Sequence, residues 1–537
     1  MFLLGHLKRG LVRFNYLFVG VLVGACLGIT QFTTPNLIAY DGHYHIKYAY
    51  LMRTQGLLLE HHWLKFTILN GKLLDHHFLY HVLLMPFTFG DLRVGGKLAA
   101  TFFATVMFVV FFLVLGKLRL PWPNLWVLVL LSCSYTFLCR MGMARVQSVA
   151  LTLQLLLFVA LVKDRRGWIF ILSAVYVWLH LTGSVWVVML SVLGCVAASL
   201  AERRLRLSPL GWSVAGWVTG YVVNPFFPTN FMFSLKGVLH KLTSEYSVQV
   251  GNEWYAYEAD FFLKSSSLVF IALFVGLLLT AVRERKISRE TLFAFFVSAV
   301  YFVATMRARR FIEYWPAFTV LFCALSVRDF VASPAQDNCE DRGADPTGSA
   351  GASPSPPGYL SGIAALAGVA VLVFFTPKTL DRLAGDFMEY SFDIDRYTAA
   401  ARWLERNTVD GECIFNADWD DFPQFFFHNS KNAFIVGLDP GYMEMYNHDL
   451  YMRWKSITRG EVEKPSQLIL STFGTRFLFT NNDQEDLIRE LNADPQVKRV
   501  YRDSECSVFR MLRAKTKAQT WKSKGCSFGG KVIHSIL

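Results

Sequence analysis

Long apolar segments recur along this chain, and most are followed by a short loop that carries charge. A helix needs roughly 20 apolar residues, with about 17 as a minimum, to cross the hydrocarbon core of a bilayer. By that criterion about eleven segments are candidate spans. They are 15–31, 97–116, 122–139, 146–162, 167–182, 184–200, 209–225, 265–282, 291–306, 311–327 and 359–376. Because only helices and closed barrels pair every backbone group in lipid, this pattern predicts an α-helical polytopic membrane protein.

The charge balance agrees with that class. Charged residues make up 18% of the chain and hydrophobic residues 53%, whereas soluble domains carry about 25% charged residues. A net charge of +12 would suit a nucleic-acid partner, but the Lys and Arg residues lie in short loops between apolar segments. That placement is typical of a topology signal, so we expect membrane lipids and no nucleic acid among the partners.

The basic loops predict an orientation. Loops 117–119, 163–166, 203–206 and 283–286 fall on the same side as the basic N-terminus, and the positive-inside rule makes that side cytoplasmic. An odd number of spans places the C-terminal region on the other side. We expect a multi-pass protein of the bacterial inner membrane with a periplasmic C-terminal domain; an endoplasmic reticulum lumen is the alternative.

Two domains are predicted: a transmembrane domain, 1–376, with external loops 32–96 and 226–264, and an extracytoplasmic α/β domain, 377–537. Loop 328–358, rich in Gly, Ser and Pro, is predicted to be a disordered cytoplasmic linker. Periodicity in the second domain predicts helices over 395–407, 467–473 and 484–492 and strands over 412–416, 433–438, 476–480, 497–502 and 507–512. Spacing alone leaves open whether Cys413 and Cys506, both on predicted strands, form a disulfide.

Loop 32–96 is rich in His and acidic residues. Asp and His serve as metal ligands and as general bases, so the pattern indicates either a divalent-cation site, with Mg²⁺ or Mn²⁺ as cofactor, or a proton-transfer site. The alternative is that these rings lie at a membrane interface, where amphipathic side chains are tolerated. The predicted acceptor- or sugar-binding residues of this loop are His43, His45, Asp75 and His76.

Asp41 is the predicted catalytic residue. It follows the first apolar segment directly, and an ionisable group beside a span is costly unless it has a partner, so it indicates a functional site. The alternative is that Asp41 caps a helix over Tyr44–Gln55.

The segment from Met306 to Tyr314 carries basic residues against the positive-inside bias. Guanidinium groups bind phosphate in a bidentate manner, which predicts a donor-phosphate site. Generic contact with anionic headgroups is one alternative, and pairing of Glu313 with Arg309 or Arg310 is another. The predicted phosphate-binding residues are Arg145, Arg307, Arg309 and Arg310.

Loop 226–264 mixes aromatic side chains with carboxylates and amides. Sugar rings offer apolar faces for stacking and hydroxyls for hydrogen bonding, so this mixture favours a saccharide, although ordinary interfacial loops have it too. The predicted residues of this loop are Glu253 and Trp254.

Together these features resemble the GT-C superfamily of polytopic glycosyltransferases, with a layout most like the catalytic subunit of oligosaccharyltransferases. The resemblance implies a sugar donor linked to polyprenyl phosphate or diphosphate and a glycan, lipid or protein acceptor. Asp41 matches the acidic residue of the first loop, which acts as metal ligand or acceptor-activating base. Arg310, or Arg307, resembles the donor-phosphate arginine, and Glu253 the glutamate of an external loop. The segment 418–422 resembles the acceptor motif Trp-Trp-Asp-Tyr-Gly, which implies that Trp419 and Asp420 bind the acceptor or sugar.

The chain also departs from the family. The second acidic motif should fall near 140–148, where there is no carboxylate. We therefore expect a metal-independent inverting transferase that works on the extracytoplasmic face, with Asp41 as base and arginines stabilising the departing phosphate. A flippase for lipid-linked saccharides is one alternative, although carboxylates in mid-span are nearly absent. An oligosaccharyltransferase acting on protein is the other.

Overall fold

The computed structural model describes residues 2–243, 251–283, 286–331, 358–389, 391, 393 and 395–512; before residue 15 it describes the backbone alone. Most of these residues are helical. The helices of the N-terminal part are α1 Phe2–Gln31, α2 Asp41–Gln55, α3 Phe78–Leu84, α4 Leu92–Lys117, α5 Pro123–Ser132, α6 Tyr135–Met141, α7 Gln147–Val162, α8 Arg166–Leu179, α9 Val185–Glu202, α10 Ser208–Val222, α11 Thr229–Thr243, α12 Ala259–Ser265, α13 Ser267–Ala281, α14 Arg289–Arg307, α15 Trp315–Val331, α16 Gly358–Ala370 and α17 Thr376–Glu389.

Fewer helices qualify as spans than the sequence predicts. Among the described residues, four are long and apolar enough, namely 92–117, 182–202, 289–307 and 358–389, or six if each of two bent pairs counts as one span. The prediction of about eleven is not confirmed. Hydropathy measures the length of an apolar segment, but it does not show where the helix in that segment breaks or ends. The apolar helices nevertheless support an integral membrane protein. Most of the predicted linker 328–358 lies outside the described residues.

The two bent pairs break at serines that contact each other. Helices α5 and α6 meet at 91°, and α12 and α13 meet at 81°. Ser134 starts α6 by accepting a hydrogen bond from the Phe137 backbone amide, as an N-cap residue does. Its hydroxyl also lies 3.0 Å from that of Ser266, at the break between α12 and α13. This contact holds the start of α6, whose last turn carries Arg140 to the cavity described below.

The C-terminal part is a small sheet with helices around it. Its helices are α18 Thr398–Asn407, α19 Phe422–His428, α20 Gly441–Tyr446, α21 His448–Thr458, α22 Ser466–Phe473 and α23 Glu485–Ala493. After the two short strands β1 Glu60–His61 and β2 Lys72–Leu73, the strands are β3 Cys413–Asn416, β4 Ala433–Phe434, β5 Phe477–Asn481, β6 Val497–Arg502 and β7 Cys506–Met511. The sheet order is β4-β3-β5-β7-β6, with β4, β3 and β5 parallel and β7 antiparallel to both neighbours.

Most predicted elements of this part are confirmed, including the hairpin β6–β7. Helices α19, α20 and α21 were not predicted, and β4 is only two residues long. Cys413 and Cys506 are both free thiols, and strand β5 separates the strands that carry them.

The first external loop is joined to this sheet. The Phe434 amide donates to the Trp63 carbonyl at 2.7 Å, and the Lys65 amide donates to the Phe434 carbonyl at 2.8 Å. Tyr44 of α2 packs against Phe426 of α19, with ring centroids 5.4 Å apart. Burial of such rings is a large stabilising contribution. As a result, the start of α2 lies against the C-terminal part of the chain.

Candidate active site

A cavity of about 310 Å³ opens where the first external loop, the turn after α6, residues 251–254, Arg310 and the loops after β3 and β4 meet. The predicted site residues that line it are Asp41, His45, His76, Arg145, Glu253, Trp254, Arg310, Trp419 and Asp420. The predicted residues His43, Asp75, Arg307 and Arg309 lie outside its lining. Tertiary structure thus brings together residues from five separate parts of the sequence.

Asp41 is held against the turn that follows α6. It is the first residue of α2, where a carboxylate is stabilised by the helix dipole. The prediction that it caps a helix starting at Tyr44 is wrong, because Tyr40 takes the N-cap position and has no side-chain cap. At Gly42, an added Cβ would lie 3.3 Å from the Cβ of Ala144. This close approach lets the Asp41 carboxylate reach Arg145 at 2.9 Å.

Glu253 is the centre of the charge cluster. Its carboxylate lies 2.8 Å from Arg140, 3.2 Å from Arg145 and 3.3 Å from Arg310. Burial by itself would raise the pKa of Glu253, but the three guanidinium groups outweigh it and hold that pKa well below its usual range. The carboxylate is therefore ionised, and it forms ion pairs with all three guanidinium groups at the cavity wall.

Arg140 joins this cluster from the last turn of α6. It donates to Glu313 as well as to Glu253, so the predicted pairing of Glu313 with Arg309 or Arg310 is wrong. Arg309 instead donates to the Ala256 carbonyl at 3.1 Å. The sequence shows Arg140 only as extra positive charge at the depth of Arg145, and its role in the cluster requires the bend before α6.

Trp254 contacts two cations. The guanidinium of Arg310 lies 4.3 Å from the ring centroid, and the ammonium of Lys241 lies 4.2 Å from it. Such cation–π contacts are stronger in partly desolvated places. Lys241 also lies 3.7 Å from Asp439, and it was not predicted. In the sequence, Lys241 stands out only by its place in the predicted external loop 226–264, which also carries Glu253 and Trp254.

Asp420 lines the cavity, and the neighbouring Asp421 is buried next to it. Burial and the neighbouring Asp418 and Asp41 raise the pKa of Asp420 well above its ordinary value. Burial and Asp418 raise the pKa of Asp421 to about 7, although it accepts a hydrogen bond from Tyr397 at 2.7 Å. These carboxyl groups are therefore less acidic than ordinary aspartates and hold protons near neutral pH more readily.

His43 lies away from the cavity. Its ring packs against Phe427 and its Nδ1 lies 3.2 Å from the Tyr40 carbonyl. Burial lowers the pKa of His43 to about 4, so the ring is neutral. These contacts make it a buried structural histidine at the start of α2.

A divalent cation does not fit this arrangement. No group of three or more His, Cys, Asp or Glu side chains in the described part of the chain could hold a metal ion. The carboxylates of Asp41 and Glu253 are bonded to guanidinium groups, whose positive charge opposes a bound cation. The site residues therefore do not support the predicted Mg²⁺ or Mn²⁺ cofactor.

No family model matches the sequence, and no curated protein matches it. Solved structures do match over most of the chain. Oligosaccharyltransferase AglB from Archaeoglobus fulgidus, in complex with an inhibitory peptide and a dolichol-phosphate, has a TM-score of 0.61 at 11% identity, covering 90% of this chain and 72% of that one. ArnT from Cupriavidus metallidurans bound to undecaprenyl phosphate has a TM-score of 0.51 at 14% identity, covering 92% and 98%.

Arabinofuranosyltransferase AftD from Mycobacteria has a TM-score of 0.53 at 12% identity, covering 92% of this chain and 40% of that one. These three proteins are GT-C glycosyltransferases. At such low identities the similarity shows a common fold, so the predicted GT-C resemblance is confirmed for the fold of this chain.

Proposed function

We propose that the protein is an integral-membrane glycosyltransferase that moves a sugar from a polyprenyl phosphate or diphosphate to an acceptor hydroxyl on the extracytoplasmic face. The observation that carries this proposal is the convergence of Arg140, Arg145 and Arg310 on one carboxylate at the wall of an open cavity. Guanidinium groups are suited to phosphate oxygens. A GT-C fold is a framework on which this chemistry is known to occur, although fold alone does not determine function.

The donor phosphate would bind between Arg145 and Arg310. There it would take over the hydrogen bonds that Glu253 now accepts, and the cations would stabilise the charge that builds up on the leaving phosphate. Lys241, close to Arg310 through their common contact with Trp254, adds a positive charge for a second phosphate. Two of the matching structures hold a polyprenyl phosphate, dolichol-phosphate in AglB and undecaprenyl phosphate in ArnT, which supports this class of donor.

The acceptor would approach along Trp419 and Asp420. Trp419 also lines a neighbouring cavity of about 450 Å³, together with Tyr451 and Trp454. Aromatic faces beside carboxylates suit a saccharide, so this second cavity would hold the part of the acceptor farther from the reacting hydroxyl. The predicted base, Asp41, is bonded to Arg145, so it can take a proton only after Arg145 has turned towards the donor phosphate.

The test is transfer of radiolabel out of lipid by the purified full-length protein, supplied with undecaprenyl phosphate and diphosphate esters of glucose, mannose and arabinose. We expect Arg310→Gln to lower the transfer rate ~100-fold, the usual effect of losing one donor to a developing anion. Arg307→Gln should have a much smaller effect, because Arg307 is exposed and lies outside the cavity lining.

Arg93→Gln is the matched control, since Arg93 is exposed and paired with Asp91 at the start of α4. Equal rates for Arg310→Gln and Arg93→Gln would overturn the proposed phosphate site. No label leaving any of these lipids with the wild-type protein would overturn the proposed function.

A further inference from the structure

Three buried side chains form a hydrogen-bonded chain that ends at the cavity. Asp75 Oδ2 lies 2.7 Å from His81 Nδ1, and His81 Nε2 lies 2.8 Å from His45 Nδ1. All three residues are at most 6% exposed. Of the three, His45 alone lines the cavity, so the chain leads from a buried carboxylate to the candidate site.

The positions of the protons follow from the chemistry of each group. Burial would raise the pKa of Asp75, but His81 outweighs it and the net shift is downward, so the group is a carboxylate and accepts from His81 Nδ1–H. A neutral imidazole carries one N–H. When His81 is neutral and donates from Nδ1, its Nε2 therefore has a lone pair and accepts from His45 Nδ1–H. His45 Nε2 is then left with a lone pair.

The lone pair of His45 Nε2 is placed where it can accept a proton from a molecule in the cavity. His45 Nε2 makes no hydrogen bond with the described residues, and the ring is at the cavity wall. Asp41 and His45 are one helical turn apart on α2, which puts them on the same face. The carboxylate of Asp41 is bonded to Arg145 at 2.9 Å, whereas His45 can accept a proton without breaking a bond.

We propose that His45 is the general base that takes the proton of the acceptor hydroxyl, with His81 and Asp75 as positioning residues. This rests on the proposed glycosyl transfer. In the step, the acceptor oxygen bonds to the anomeric carbon while its proton passes to His45 Nε2. The bond from the anomeric carbon to the phosphate oxygen breaks, and the phosphate leaves with that electron pair towards Arg145 and Arg310. Asp75, acting through His81, stabilises the imidazolium that forms, and Asp41 keeps Arg145 in place until the donor arrives.

The surroundings of His45 favour the neutral ring at the start of the step. Burial lowers the pKa of His45 well below its ordinary value, and nearby cationic or ionisable groups add to this. The groups that face the ring are His76, His77, His81, His180, Tyr80 and Arg145. A base in this environment is unprotonated at neutral pH, so the rate should fall only on the acid side.

The test compares five variants in the assay of label released from the lipid, to an acceptor or to water. We expect His45→Gln to lower kcat ~100-fold or more while KM for the donor lipid stays within about twofold, because the phosphate site is intact. Asp75→Asn accepts the same hydrogen bond without the charge. It should lower kcat at least about tenfold and move the acid limb of the pH profile to lower pH.

His62→Gln is the control, because His62 is exposed in the same loop. His45→Ala should regain activity with added imidazole, which would not repair a merely structural defect. The proposal is overturned if His45→Gln keeps the wild-type kcat and acid limb, or if the acid limb disappears in Asp41→Asn alone. Absence of label release by the wild-type protein would instead remove the proposed function, and this step with it.

Discussion

Two of the places where arginines surround a carboxylate in the described part of the chain lie at opposite ends of the antiparallel pair α14–α15. At one end Glu253 binds Arg140, Arg145 and Arg310 beside the cavity. At the other end Asp329 lies 3.1 Å from Arg283 and 2.7 Å from Arg328. The two clusters have the same chemistry, and their difference lies in what else surrounds the charges.

In the Asp329 cluster, the charged groups also form hydrogen bonds with other protein groups. Asp329 also accepts from the Thr291 hydroxyl at 2.7 Å, and Arg328 donates to the Ser288 hydroxyl and the Leu118 carbonyl. The Glu253 cluster faces open space, with the Glu253 side chain 20% exposed. Ion pairs enclosed by protein are a structural feature, whereas cations that face a cavity can exchange one anion for another. Charge pairing alone therefore does not mark a site.

The largest expected contrast comes from neutralising each central carboxylate. Asp329→Asn should lower the free energy of unfolding by about 3 kcal/mol, because two arginines keep their charge without a partner, and should leave affinity for undecaprenyl phosphate unchanged. Glu253→Gln should also be less stable but should bind undecaprenyl phosphate roughly tenfold more tightly, since the lipid then has no competing carboxylate. Thermal unfolding with and without the lipid measures both. Equal lipid-dependent stabilisation of the two variants would show that Glu253 does not compete with phosphate.

A contrast in stability alone should separate both clusters from Asp421, which has no guanidinium at bonding distance among the described residues. Its folded-state pKa of about 7 is raised above the ordinary 3.8, so the folded protein keeps a proton there that the unfolded chain loses. Stability should therefore fall as pH rises from about 4 to about 7 and level off above, by at most roughly 4 kcal/mol. Asp421→Asn, which still accepts from Tyr397, should remove this slope. Unfolding of both proteins at pH 5 and pH 8 is the measurement, and a wild-type-to-variant difference independent of pH would contradict it.

The smallest effect is expected at an exposed pair. Lys264 and Asp260 lie 2.6 Å apart with side chains 76% and 77% exposed, and such pairs contribute little because water screens them. Lys264→Ala should change neither the melting temperature nor label transfer. A loss of transfer in this variant would mean that overall positive charge, and not the local geometry of the arginine cluster, attracts the donor.

The fold was partly predictable. Period-two and helical patterns located most C-terminal elements, because each is short and has one buried face. Helix α19 was missed because its segment, 422–428, has only seven residues, too few to show a repeating period. Phe422, Phe425 and Phe426 do have helical spacing, and they pack inward between the sheet and α2. The number of spans stays unconfirmed, because hydropathy detects neither the serine breaks in segments 122–139 and 265–282 nor the ends of shorter apolar helices such as Gln147–Val162.

The site was predicted as separate residues but not as an arrangement. Two of the ionisable groups next to apolar segments, Asp41 and Arg310, line the cavity. The partners of those groups come from distant parts of the chain: Arg145 and Glu253 are 108 residues apart, and His45 and His81 are 36 apart. No local pattern encodes such pairs, so the hydrogen-bonded chain to Asp75 required the tertiary structure.

The bond between the first external loop and the C-terminal sheet also sets an order of assembly. Trp63 Nε1 donates to the Ser430 carbonyl at 2.8 Å across 367 residues of sequence. At about 5–20 residues per second, a ribosome needs roughly 20 to 70 seconds to make that stretch. During that time α2 and its histidines are already synthesised, while the wall formed by Trp419 and Asp420 does not yet exist. The cavity is thus completed only late in translation. In a nascent chain that stops before β4, the first external loop lacks its hydrogen-bond partners in that strand, and such an unpaired loop is a feature that quality control can recognise.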